Sequence, residues 1–171
     1  MKPNFWQRLD LAARSLLPFA ATLVLVLIAL VPTRIPSMGA VAPMLPLMGV
    51  YYWSIARPEL MRPSVAFIIG VLVDLLAGTP IGVNAFLYLI VHWVVVSQRR
   101  FFLGKPFFIG WWAFGLVAFG VVLLKWFLVS ALQSGMVQPW PVLISYGLTL
   151  SLYPVFGWAF AKVEVQVFEE V

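Results

Sequence analysis

The sequence contains no cysteine. That excludes disulfides, thiolate metal sites and thiol nucleophiles. Charge is nearly as scarce, with eleven Lys and Arg and six Asp and Glu making 10% of 171 residues. An average soluble domain is about 25% charged. There is one histidine, and one His with so few acids does not make a metal-ligand set. No phosphate-cradling loop, nucleophile elbow or pair of glycosidase carboxylates can be read. No internal repeat is visible. What is present is apolar: 63% of residues are hydrophobic and the mean hydropathy is +1.02. A soluble globule of this length has no interior large enough for that much apolar surface. A cytosolic enzyme, a disordered chain and a nucleic-acid-binding domain are therefore excluded. The expected class is an all-α integral membrane protein with the lipid bilayer as its solvent, and no cofactor is expected.

Six apolar runs can be marked. They cover Ser15–Val31, Ala40–Ala56, Ser64–Ala77, Ala85–Ser97, Pro106–Leu132 and Val142–Ala161. Phe5, Leu9, Ala13 and Leu16 recur at i, i+4 ahead of the first run, which predicts an interfacial helix over 1–14. A positive start followed by an apolar run also fits a signal peptide, but no small-x-small cleavage site follows Val31. The first run is therefore read as a retained helix. Pro43 and Pro46 stand near the start of the second run, where the first turn of a helix tolerates proline; Pro46, if one turn later, leaves room for a kink. The organisation predicted is an interfacial segment (1–14), a six-helix transmembrane domain (15–161) and a tail (162–171).

The charges are distributed unevenly. Lys2, Arg8 and Arg14, then Arg57 and Arg62, then Arg99, Arg100 and Lys105, then Lys162 all fall on one side of a six-span arrangement. The other side has only Arg34, and Lys125 lies within a run. Nine basic residues against one is the positive-inside pattern, and it places both termini in the cytoplasm. The net charge of +5 reports orientation rather than an anionic partner.

Asp74 is the acid placed inside a span, where a carboxylate is costly and turns toward protein or water. It lies toward the C-terminal end of its helix, where the helix dipole is unfavourable to an anion. Ala66, Gly70, Asp74 and Gly78 repeat every four residues and form one stripe. Small residues on a stripe let another backbone approach. Two readings stand: a packing face whose Asp bonds a neighbour, or a ligand or proton site. Gly78 and Gly82 suit backbone angles that other residues avoid, and Asn84 is expected to cap the fourth helix. His92 and Lys125 both come out about 12 Å below the outer boundary, and Asp74 about 6 Å below it. An Asp74–Lys125 contact with His92 nearby is therefore expected as an intramembrane polar cluster. The plainer readings are a neutral core histidine and a lysine that snorkels.

The stretch from Pro43 to Val94 resembles the rod shape-determining protein MreD family. The resemblance is carried by Pro46-Leu47-Met48-Gly49-Val50-Tyr51-Tyr52-Trp53, by Arg57-Pro58, and by the G-x-x-x-D-L-x-x-G-x-x-x-G pattern running from Gly70 through Asp74 and Gly78 to Gly82. Tyr153-Pro154 in the last run and the short charged tail agree with it. The resemblance implies a bacterial inner-membrane protein of the cell-elongation machinery that partners MreC and, through it, MreB. It implies a wider assembly with a RodA-type glycosyltransferase and a class B penicillin-binding transpeptidase, and a scaffolding or regulatory role rather than catalysis. It further implies a six-helix fold similar to the substrate-binding S components of ECF vitamin transporters. The Gly70, Asp74, Gly78 and Gly82 set is then a helix-packing or partner-binding face. The alternative is an S-component-like small-molecule binder. Such proteins commonly dock through A-x-x-x-A in the first helix, whereas here Ala20 is followed four on by Val24 and Ala21 by Leu25.

Overall fold

A computed structural model of the chain describes residues 5–31, 41–102, 104–132 and 138–168. Among these are seven helices and no strand: α1 (Phe5–Ala29), α2 (Leu45–Ala56), α3 (Pro63–Ala77), α4 (Val83–Ser97), α5 (Arg99–Phe102), α6 (Phe107–Leu132) and α7 (Pro139–Phe168). The expected apolar runs correspond to six of them. The single turn α5 falls where a loop was expected. Arg34 and the loop around it lie outside the described residues, as do Lys2, Glu169 and Glu170. The interfacial segment expected before residue 15 and the first run form one continuous helix, and α7 runs on past residue 161.

Among the described residues, α6 and α7 are the helices long and apolar enough to cross a bilayer on their own. Just 28% and 22% of their apolar windows are buried, so they are not the core helices of a soluble protein. Their outer surfaces carry Trp112, Leu116 and Trp158 at 60, 73 and 65% exposure, and Trp93 on α4 is 72% exposed. Such a surface suits hydrocarbon rather than water. At 1.5 Å per residue, the twelve-residue α2 is only about 18 Å long, shorter than the ~30 Å hydrocarbon core. The second run contracts because of its prolines. Pro46 sits in the first turn of α2, where a missing N–H leaves nothing unpaired, so the helix starts there instead of kinking.

α2 is the central element. It is buried almost all round and packs against α1, α3, α4 and α7, while α3 pairs with α4 and α6 with α7. Its Tyr51 lies edge-on to Phe114 of α6 and Tyr153 of α7, and those two rings stack 4.1 Å apart. The Tyr51 hydroxyl donates to the Gly110 carbonyl at 3.0 Å. At Gly49 a Cβ would stand 2.7 Å from the Thr22 hydroxyl, so α1 and α2 meet there through glycine.

Pro154 lies inside α7 and has no N–H to give the Leu150 carbonyl. The indole N–H of Trp111 on α6 donates to that carbonyl instead, at 3.1 Å. A break in the hydrogen-bond ladder of one helix is thus mended from its neighbour, as an apolar solvent demands.

Candidate functional site

The family-like pattern lies at the end of the bundle where α3 turns into α4. α3 ends at Gly78 in the left-handed conformation, with φ 67°, and Gly82 before α4 has φ 101°. A side chain would strain both. Asp74, one turn from the end of α3, is only 1% exposed. Its Oδ1 accepts from the Thr79 hydroxyl (2.7 Å), the Asn84 side-chain amide (2.8 Å) and the Asn84 backbone N–H (3.1 Å). Its Oδ2 accepts from the backbone N–H of Gly82 (2.9 Å) and of Ala85 (3.4 Å). The Asn84 amide also donates to Thr79 Oγ1 at 3.1 Å.

These contacts change the electrostatic account of Asp74. The C-terminus of α3 disfavours the carboxylate, but the N-terminus of α4 faces it and offers unpaired N–H groups to an anion. Asp74 is therefore the cap of α4, supplied from α3. Asn84 is not the cap that the sequence predicted. It is the second residue of α4, and its side chain donates to Asp74 rather than accepting from its own helix.

Gly70 makes this geometry possible. A Cβ there would lie 2.3 Å from Ala85 Cα and 2.5 Å from Ala85 N. No side chain fits at such distances, so α3 and α4 approach backbone to backbone, the arrangement small residues permit. Ala66, Gly70 and Asp74 are buried, whereas added Cβ atoms at Gly78 and Gly82 meet nothing.

Among the described residues, no hydrogen bond or ion pair joins Asp74, His92 and Lys125 to one another. His92 is buried, and its Nδ1 lies 3.0 Å from Ser54 Oγ of α2. Among the described residues the ion pairs are Arg57–Glu59 and Arg57–Glu164, and Asp74–Lys125 is not one of them. The carboxylate is already occupied by neutral donors. Lys125 instead lines a cavity of about 400 Å³ with Val26, Met44, Thr79, Tyr88 and Ser145. Helices α1, α2, α3, α4, α6 and α7 all contribute to its wall, at the same end of the bundle as the turn. One side is held by α7, where Ser145 donates to the Ala42 carbonyl at 2.6 Å and Thr149 accepts from the Met44 N–H at 2.9 Å.

The opposite end has a different construction, which pattern reading missed. Arg57 Nε donates to Glu164 Oε1 at 3.2 Å, and the Tyr52 hydroxyl donates to Glu164 Oε2 at 2.8 Å. Arg99 donates to the last carbonyls of α2, to Ile55 at 2.8 Å and Ala56 at 3.4 Å. Lys162 lies over the Trp158 ring at 5.1 Å. Arg57 and Arg99 had been read only as topological charges. They also close the C-terminus of α2, where cations suit the helix dipole. Arg57 directly follows that run, which was a signal; Arg99 comes from a distant loop and gave none.

A helical bundle with a lipid-compatible surface, closed at one end by a capped carboxylate, is of the integral membrane class. The model of the rod shape-determining protein MreD family matches residues 13–163. The chain belongs to that family, which is a membrane protein family with a shape-determining, structural role. No curated protein sequence matches the chain. No solved structure matches it.

Proposed function

We propose that this protein is a non-catalytic scaffold or regulator of the bacterial cell-elongation (Rod) complex. In this reading it sustains rod shape by supporting lateral peptidoglycan synthesis. MreC is its direct partner and MreB an indirect one, within an assembly that includes a RodA-type glycosyltransferase and a class B penicillin-binding transpeptidase. The observation that carries the reading is the family match across residues 13–163. The Gly70–Asp74–Gly78–Gly82 pattern lies inside it and serves to hold one hairpin rigidly, which suits a scaffold.

The proposed setting is the inner membrane, with six spans, both termini cytoplasmic and an architecture like that of an ECF S component. The nine-to-one bias of basic residues supports it. The end bearing Arg57, Arg99 and Lys162 is then the cytoplasmic end, and the cavity lies in the outer half. The second reading, an S-component-like small-molecule binder, draws on that cavity. A solute retained in stoichiometric amounts through purification would favour it.

Depletion in a rod-shaped host tests the first reading. Cells are expected to round up, and MreC is expected to co-purify with the full chain. Normal rods together with no MreC association would overturn it. The absence of cysteine makes a second test simple, because single cysteines are unique labels. Lys2→Cys and Lys162→Cys are expected to react only from the cytoplasm, and Gln138→Cys only from outside.

A further inference from the structure

Among the described residues Lys125 forms no ion pair, and Asp74 is the acid whose field reaches it. The chain has six acids. Asp10, Glu59, Glu164, Glu169 and Glu170 all fall in the segments assigned to the cytoplasmic side, which leaves Asp74 as the one acid near the cavity. Asp74 already accepts five hydrogen bonds. Among the described residues, neither the Lys125 ammonium nor the Tyr88 hydroxyl has a hydrogen-bond partner, and both line the cavity. A lysine at membrane depth ordinarily pairs or snorkels to the headgroup level.

The depth of Lys125 is informative. The 26 residues of α6 make a helix about 39 Å long, some 9 Å more than a hydrocarbon core of ~30 Å. With that excess shared between the ends, Lys125, seven residues before Leu132, lies about 6 Å below the hydrocarbon boundary. A lipid headgroup drawn slightly inward reaches it. The rest of the wall is mostly aliphatic, with Val26, Val73, Val122 and Val129, and takes hydrocarbon rather than a hydrophilic solute. About 400 Å³ falls within the range of ligand pockets.

We propose that this cavity binds the phosphate end of an anionic lipid. Lys125 pairs with the phosphate, Tyr88 donates a second hydrogen bond, and the first part of an acyl chain lies against the valines. This needs the bundle to sit in a bilayer but needs neither MreC nor a role in elongation, so it fails separately from the proposed function.

Native mass spectrometry of the full chain tests it, in micelles doped with phosphatidylglycerol or with phosphatidylcholine of the same acyl chains. The wild type is expected to retain one phosphatidylglycerol in preference to phosphatidylcholine. Lys125→Met is expected to weaken that retention roughly tenfold to a hundredfold, the range lost with a hydrogen bond to a charged group. Lys125→Arg keeps the charge and is expected to keep the preference. Ala42→Trp, at an exposed position on the cavity wall, is expected to reduce retention of either lipid while leaving the fold intact. Equal retention of the two lipids by the wild type, or an unchanged preference in a folded Lys125→Met, would overturn the proposal. Displacement by millimolar inorganic phosphate would also overturn it, by assigning the site to a free anion.

Discussion

The two ends of the bundle solve the same problem in opposite ways. At the turn between α3 and α4, one buried carboxylate meets five neutral donors, three of them backbone N–H groups that the start of a helix leaves unpaired. At the other end, Arg57, Glu164, Tyr52 and Arg99 tie α2 to α7 and to the start of α5 through partly exposed charges. The first arrangement is dry and depends on geometry. The second is wet and open to screening. Rigidity should therefore be concentrated at the turn, and sensitivity to salt at the basic end.

The largest effect is expected from Asp74→Ala, which leaves the N–H groups of Gly82, Asn84 and Ala85 without their acceptor. A loss of roughly 2–5 kcal/mol is expected, since each buried donor left unsatisfied costs about 1–3 kcal/mol and some will find water. Asp74→Asn should fall between this and the wild type, because its amide restores one acceptor but points a donor at other donors. Steric-trapping measurements of unfolding would read both. An Asp74→Ala protein as stable as the wild type would dissolve the contrast between the ends.

Gly70→Ala comes next. Its methyl group has no room against Ala85, so α3 and α4 must part, at a cost of about 1–3 kcal/mol. Gly120→Ala on α6, where an added Cβ meets nothing, is the control. Trp111→Phe keeps the ring but orphans the Leu150 carbonyl that Pro154 leaves without its usual donor. It should cost about 1 kcal/mol, and a second substitution, Pro154→Ala, should recover most of it.

Glu164→Gln is expected to have the smallest effect, under about 1 kcal/mol. That effect should vanish near 1 M salt, where the screening length falls to about 3 Å. The cost of Asp74→Ala should persist there. If both effects respond equally to salt, the wet and dry ends are not distinct.

The comparison also shows what could be read in advance. The six apolar runs emerge as helices because each is a simple length of apolar text bounded by Pro, Gly or charge. Pro46 left room for a kink because its position within the helix depends on where α2 starts, and that is set by packing and by bonds from Ser145 and Thr149. Gly78 and Gly82 were legible, since left-handed backbone has few candidates other than glycine. Asn84 was misassigned because local reasoning looks for a cap within the helix it caps. The cap came from another helix, ten residues earlier. Depth along the helices placed Asp74, His92 and Lys125 at similar levels, but depth does not give direction around a helix axis. His92 turns to Ser54, and Lys125 turns into the cavity.

The sequence by itself determined the solvent, the helical class, the family and the clustering of basic charge between the apolar runs. These follow from composition and from order along the chain, and neither needs coordinates. Only the tertiary structure decided how the few buried polar groups are satisfied, because their partners lie on different helices. It gave Asp74 the open end of α4, gave the Leu150 carbonyl a donor from α6, and turned Lys125 into a cavity with no ion pair among the described residues.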